Sequence, residues 1–388
     1  MSKKESQEEH MLTTKEKRLM AVLFDGGTTE QDILLFTREL DVDTASSDYM
    51  LMLSYLGLSI NWRWFPKEIV PRLQGLHRYY QVRNAMGIKG VLERIDLLSK
   101  AGIPVMLIKG MAIRYYYAAG VPRIMSDMDL LVPEDKYEQA IKLLCASGGT
   151  EGGRSMWSVH IINGLASIDL HKWMFKHHGD KNENIWERAV PIDFYGRTVY
   201  VPSPEDMFVH QLDTRARAIF VYEAEARRLR WLYDCRNICM KDTFDWKLAM
   251  QRIKQFHSEN TAYFMLKAFA DCFPEVITDS FVEESVTPTE DYEKWLKQHM
   301  RYRELMRKFD KVQEEKSFWK HVLIWPVTRY YDYNQKRFEM KIVDGVDLSF
   351  VQYMKKANDQ KSILGCIKYL AKNALRRAKQ YKKGDSDG

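Results

Sequence analysis

The sequence predicts an α+β fold in which a small β-sheet is flanked by helices from both ends of the chain. Helical apolar spacing runs through residues 18–100 and resumes after residue 203, whereas residues 101–202 contain short apolar or alternating segments separated by glycine and proline. A length of 388 residues is sufficient for two or three domains. We therefore expect five parts: a disordered N-terminus (1–17), an N-terminal helical segment (18–100), a sheet-containing core (101–202), a helical domain (203–345) and a tail (346–388).

The composition indicates which partners are possible and argues against several classes of protein. The formal net charge of +6 is compatible with nucleotides, nucleic acid or anionic lipid as partners but requires none of them. Five cysteines without a Cys-x-x-Cys pair argue against a disulfide framework or a zinc cluster. The charged N-terminus has no apolar signal region, and no apolar run is long enough to span a bilayer. We expect a cytoplasmic protein, with peripheral membrane contact left open.

The rest of the chain is organised around residues 103–132. This stretch reads as a buried strand at Val105–Ile108, a turn, a short helix, and a second strand that carries Asp127 and Asp129. Residues two apart on a strand point to the same face, so both carboxylates leave the same side of the sheet. Two adjacent negative charges repel unless a cation neutralises them, and Mg²⁺ prefers such oxygen ligands. The pair therefore predicts a metal site.

Two further features supply a phosphate site and a third carboxylate. Lys109 and Gly110 end the first strand, where glycine permits close backbone approach and the next helix offers free N–H groups to a phosphate. Lys109 adds a positive charge beside that turn. Residues 165–171 alternate in polarity, which places Asp169 and His171 on one face of another strand.

These groups together predict nucleotidyl transfer. Two metal ions about 3.5–4 Å apart can stabilise the attacking and leaving oxygens of an in-line displacement at phosphorus. Asp127 and Asp129 would hold the metal bound to a nucleoside triphosphate. Asp169, with one or both of the other carboxylates, would hold the second ion and help to deprotonate an acceptor hydroxyl, while the Gly110 turn would grip the β and γ phosphates. The expected cofactors are therefore two Mg²⁺ or Mn²⁺ ions, with an NTP as substrate and pyrophosphate as product.

The same residues carry a resemblance to a known family. The chain resembles the uncharacterised nucleotidyltransferase family, the family-5 branch of the polymerase-β-like superfamily, over roughly residues 73–246. The motifs are Leu107-Ile-Lys-Gly-Met-Ala112, Arg123-Ile-Met-Ser-Asp-Met-Asp-Leu-Leu-Val-Pro133 and Ile168-Asp-Leu-His-Lys-Trp173, with Pro202-Ser-Pro-Glu-Asp206 and Leu229-Arg-Trp-Leu-Tyr-Asp234 downstream. The resemblance implies a mixed sheet with a helical domain behind it.

The resemblance also implies roles for individual residues. It gives Asp127, Asp129 and Asp169 the metal-binding and catalytic role. It places His171 near the site, to order the third carboxylate, to meet the acceptor or to serve a structural hydrogen bond. Arg123 holds phosphate or pairs with the acidic cluster. The expected substrate-binding set is Lys109, Gly110, Met111, Arg123, Ser126 and His171; Met111 stands where most of the superfamily has a phosphate-binding serine.

Several alternatives remain open at this stage. The basic amphipathic tail suits an anionic membrane surface or RNA, or it docks on the body of the protein. An Asp-x-Asp pair also occurs in metal-dependent glycosyltransferases, although the helical segment before it argues against that class. A catalytically inactive protein that binds nucleotides or anionic surfaces is a further reading. The acceptor is unknown: a sugar, a peptide, a protein or RNA.

Overall fold

The computed structural model describes most of the chain between residues 14 and 297 and a few short segments beyond. The described residues are 14–24, 28–43, 47–58, 62–117, 123, 125, 128–155, 157–163, 167–175, 184–221, 225–297, 300, 333, 349–357, 362–366 and 368. The expectations for residues 1–13, for most of 298–348 and for the basic tail after residue 368 lie outside them.

The N-terminal segment is helical, as predicted. Its helices are α1 (Thr14–Phe24), α2 (Glu30–Arg38), α3 (Ser47–Leu53) and the long α4 (Val70–Lys100). A reciprocal capping box between Thr29 and Asp32 begins α2. Residues 14–17, which we expected to be disordered, belong to α1 because lysine and glutamate are good helix formers even without apolar neighbours.

A seven-stranded mixed sheet forms the centre of the protein. Its strands are β1 (Met106–Leu107), β2 (Met128–Leu131), β3 (Thr150–Arg154), β4 (Ser158–Ile162), β5 (Ile168–His171), β6 (Val190–Asp193) and β7 (Thr198–Val201). Their order across the sheet is β3-β4-β5-β2-β1-β7-β6. The β2–β5 and β1–β7 pairs are parallel, whereas the other neighbouring pairs are antiparallel. The predicted α+β class and the mixed sheet are therefore confirmed.

Helix α4 covers one face of the central strands. Gly87 lies so close to the Met128 side chain that a Cβ at this position would overlap it. Since Met128 and Asp129 point to opposite faces of β2, α4 lies on the side away from Asp129. The short α5 (Gly110–Ile113) follows β1, and α6 (Tyr137–Ala146) follows β2. This arrangement leaves the carboxylate-bearing face of β2 and β5 on the other side of the sheet.

Strand β3 forms in a glycine-rich stretch whose composition is typical of a flexible connection. Thr150, Glu151 and Arg154 pair with β4 at the edge of the sheet, whereas Gly152 and Gly153 lie at a register irregularity between them. Gly149 faces the backbone of Leu144 so closely that a Cβ would clash with the Leu144 carbonyl oxygen. Gly149 and Gly152 therefore permit close packing at this edge.

The C-terminal part of the described chain is a helical layer that shares its core with the sheet. It comprises α7 (Pro204–Val221), α8 (Glu225–Cys239), α9 (Trp246–Gln255), α10 (Glu259–Cys272) and α11 (Asp279–Ser285), followed by the separate α12 (Phe350–Ala357). Asp245 caps α9 and accepts the backbone N–H of Leu248 at 3.1 Å. One apolar core includes residues of α2, β5 and α10. Within the described residues, no helix combines the length and apolarity needed to cross a membrane.

Candidate active site

Strands β2 and β5 bring two carboxylates and an imidazole together. In their parallel pairing, Asp129 is the register partner of Asp169 and Leu131 is the partner of His171. Register partners point to the same face of a sheet, and so do residues two apart on one strand. One potential ligand atom from each of Asp129, Asp169 and His171 lies within 4.8 Å of the others. The predicted convergence of Asp129, Asp169 and His171 is thus present in the structure.

Each carboxylate has a histidine beside it. His171 is almost fully buried, and its Nε2 lies 3.0 Å from Oδ1 of Asp129. His160 on β4 is the register partner of Asp169, and its Nδ1 lies 2.7 Å from Oδ1 of Asp169. A carboxylate only accepts hydrogen bonds, so His160 donates through Nδ1–H. Three adjacent strands therefore contribute the four side chains.

Lys109 supplies a positive charge to the same cluster. The backbone N–H of Ile108 donates to the carbonyl of Asp129 at 3.3 Å, which fixes the end of β1 beside β2. The chain then turns at Lys109, whose φ of 51° and ψ of −129° lie in a region that favours glycine. This conformation brings Nζ into an ion pair with Asp129 and to 3.2 Å from Nε2 of His171.

The charges favour an ionised carboxylate and a neutral imidazole. Burial alone would raise the pKa of Asp129, but the Lys109 ammonium and the His171 hydrogen bond outweigh it and hold that pKa well below its ordinary value. Burial lowers the pKa of His171, and the nearby Lys109 charge lowers it further, against the opposing effect of Asp129. These are the protonation states in which both groups can donate to a metal.

The donor set fits a divalent cation. Carboxylate oxygens suit Mg²⁺ and Mn²⁺, and a neutral imidazole nitrogen can complete such a site for Mn²⁺ and other transition metals. Nδ1 of the buried His171 has no hydrogen-bond partner among the described residues. The identity and the number of ions stay predictions.

The other predicted site residues do not belong to the group of Asp129, Asp169 and His171, or they fall outside the described residues. Gly110 begins the four-residue α5 and packs against Met125, where a Cβ would come within 3.1 Å of the Met125 Cγ. Met111 is buried in the core. Arg123 is also buried, and its guanidinium pairs with Asp234 of α8. Ser126 and Asp127 fall outside the described residues, and their roles stay predictions.

The structure also adds two residues that we did not predict for these positions. We offered His171 as the residue that orders the third carboxylate, but His160 makes that contact because antiparallel pairing sets it opposite Asp169. The polarity alternation of residues 158–162 was a usable signal for His160. Asp234 binds Arg123 across a separation of 111 residues.

Comparison with protein families identifies the chain. The model of the uncharacterised nucleotidyltransferase family matches residues 53–274, which is more than half of the chain and includes the whole sheet. The chain belongs to this nucleotidyltransferase family. The family resemblance of the Arg123–Pro133 and Ile168–Trp173 motifs is thereby confirmed, and the chain is a nucleotidyltransferase. No curated protein matches it.

Two solved structures of one protein are similar to the nucleotidyltransferase. A solution structure of the antibiotic-resistance factor ANT(2'')-Ia matches at 13% identity with a TM-score of 0.35, covering 45% of this chain and 93% of that one. A crystal structure of ANT(2'')-Ia in complex with adenylyl-2''-tobramycin matches at 16% identity with a TM-score of 0.32, covering 44% of this chain and 97% of that one.

Proposed function

We propose that this nucleotidyltransferase moves a nucleoside monophosphate from an NTP to a hydroxyl-bearing acceptor in a reaction that depends on a divalent metal. One observation carries the proposal: Asp129 and Asp169 are register partners on neighbouring strands, with the imidazole of His171 beside them. Membership of the nucleotidyltransferase family supplies the reaction class. The nature of the acceptor beyond its hydroxyl group is left to experiment.

The chemical step can be written with residues of this chain. The acceptor oxygen forms a bond to the α-phosphorus, the bond from that phosphorus to the bridging oxygen breaks, and pyrophosphate leaves with the electron pair. The acceptor proton passes to Asp169, which His160 holds in place. Lys109 places a cation beside Asp129, where the charge of the triphosphate accumulates. A divalent ion bound by Asp129, Asp169 and the predicted ligand Asp127 would neutralise phosphate charge and orient the reacting groups.

The test is transfer of label from each of the four α-³²P-labelled NTPs to acceptors in a cell extract, with Mg²⁺ or Mn²⁺. We expect label transfer and pyrophosphate release by the wild-type protein. Asp129→Asn and Asp169→Asn should each lower the rate by about a thousandfold, the scale of losing one major electrostatic contact to the transition state. Removal of metal with a chelator should stop the reaction.

Asp135→Asn is the matched control. Asp135 is an exposed carboxylate that follows β2 and lies outside the cluster, so its variant should transfer label at the wild-type rate. Equal transfer by wild type and Asp129→Asn would remove the proposal, and so would wild-type transfer that is insensitive to chelator.

A further inference from the structure

A buried asparagine binds the backbone of Arg123 and Met125, shortly before β2. The side-chain amide of Asn84 on α4 donates to the carbonyl oxygen of Arg123 at 2.7 Å, and its carbonyl oxygen accepts the N–H of Met125 at 3.2 Å. Asn84 therefore contacts the backbone on both sides of residue 124. Only residues 126–128 separate Met125 from Asp129.

The Arg123 side chain anchors the same segment from the helical layer. Its Nε and Nη2 donate to the two oxygens of Asp234 at 2.7 and 2.8 Å. The hydroxyl of Tyr117 donates to the same carboxylate at 2.7 Å. Burial and the Asp234 charge raise the pKa of Tyr117 well above its ordinary value, so this hydroxyl stays a donor. The anchor network is thus Asn84, Tyr117, Arg123 and Asp234.

The anchor network imposes a defined geometry on the backbone in addition to any effect on stability. A buried ion pair is often no more stabilising than well-packed apolar residues of similar size, because both charges lose their hydration. What such a pair adds is one defined geometry, since a bidentate arginine–carboxylate contact tolerates little displacement. Here that geometry is imposed from two separate elements, α4 and α8, immediately before the strand that carries Asp129.

We propose that Asn84 and Asp234 are positioning residues that fix the entry into β2 and hence the place of Asp129 relative to Asp169. The proposal rests on the proposed function for its catalytic consequence, although the positional claim is independent of it. The helical layer is then part of the active-site framework through Asp234.

The positional claim is tested by hydrogen exchange of the full-length protein. Asp234→Asn keeps the side-chain shape and removes the charge that binds Arg123. We expect faster backbone exchange in the peptide spanning residues 123–131, by at least tenfold at the Met125 amide. Asn84→Leu should have the same effect because it removes both backbone contacts. Unchanged exchange of this peptide in both variants would overturn the proposal.

Asp206→Asn is a matched control for the loss of a buried charge. Asp206 on α7 is fully buried and binds Arg188 through both oxygens, at 2.7 and 3.3 Å, in the same way that Asp234 binds Arg123. Its variant should lower the melting temperature without altering exchange in residues 123–131. If Asp234→Asn does not fold, the double variant Arg123→Met/Asp234→Leu removes both charges and leaves no unpaired ion, and the same acceleration is expected.

The functional consequence is read from Mn²⁺ binding, measured by electron paramagnetic resonance at a temperature where each variant is folded. We expect about tenfold weaker Mn²⁺ binding in Asp234→Asn, the scale seen when an indirect support of a metal ligand is removed. Asp206→Asn should bind Mn²⁺ as the wild type does.

The outcomes separate the two proposals. Faster exchange with unchanged Mn²⁺ affinity would overturn the positioning role, because the anchor would then not influence the ligands. If the wild-type protein itself binds no Mn²⁺, the metal dependence under the proposed function fails, and the hydrogen-exchange result alone decides whether the network fixes the strand.

Discussion

The two carboxylates of the candidate active site occupy different environments although they are register partners. The Asp129 side chain is 6% exposed and contacts the ammonium of Lys109 and the imidazole of His171. The Asp169 side chain is 32% exposed and contacts His160, which is itself 43% exposed. One carboxylate thus belongs to a buried charged cluster, whereas the other belongs to a solvent-accessible pair.

The difference in burial distinguishes Asp129 from Asp169, to which the sequence assigned the same metal-binding and catalytic role. A buried ionised group is costly unless its partners compensate for the lost hydration, so removal of Asp129 also leaves its partners without compensation. Asp169 retains water on one side, and its removal leaves little uncompensated charge. We therefore expect both residues to matter for transfer, but only Asp129 to matter strongly for folding.

The sharpest test compares the free energies of unfolding of the Asp129→Asn and Asp169→Asn variants. We expect Asp129→Asn to lower the free energy of unfolding by about 2 kcal/mol, because the partly buried Lys109 ammonium loses its counter-charge. Asp169→Asn should lower it by less than about 1 kcal/mol, as for a partly exposed ion pair. Urea denaturation of each variant without added metal measures both values. Equal losses would mean that the two environments are energetically alike.

The second test concerns the histidine that supports the more exposed carboxylate. His160→Ala removes the donor to Asp169 and should reduce nucleotidyl transfer by about tenfold. His160→Asn places an amide N–H near the position of Nδ1 and should recover most of the rate. Initial rates of label transfer, with circular dichroism to verify folding, provide the measurement. If both variants transfer at the same rate, the His160 contact does not support catalysis.

The sequence predicted those parts of the site that follow from the alternation of polar and apolar residues along a single strand. Polarity along residues 165–171 was sufficient to place Asp169 and His171 on one face, and the Asp129 strand was recognisable from its apolar neighbours. His160 required the register between β4 and β5, which is set by long-range packing. The contact between Asp234 and Arg123 could not be predicted, because the spacing of residues in the sequence does not show which charged residues the fold brings together.

The turn after β1 shows a different limit of sequence reasoning. We predicted from Gly110 that the backbone comes close to a ligand at this turn. The structure assigns the positive φ to Lys109, whereas the space around Gly110 is restricted by the side chain of Met125. A lysine seldom adopts such angles, so its residue type did not predict the positive φ. In this conformation the lysine side chain contacts Asp129 and His171.

The smallest predicted effect isolates that backbone conformation. Lys109→Ala and Lys109→Gly remove the same ammonium, but only glycine adopts a φ of 51° and ψ of −129° without strain. We expect Lys109→Gly to be more stable than Lys109→Ala by about 1 kcal/mol in urea denaturation. Lys142, an exposed residue inside α6, is the control, and there alanine should be more stable than glycine by roughly 1 kcal/mol. If alanine were more stable than glycine at both positions, Lys109 would carry no backbone strain. The contact with Asp129 would then form without a strained turn.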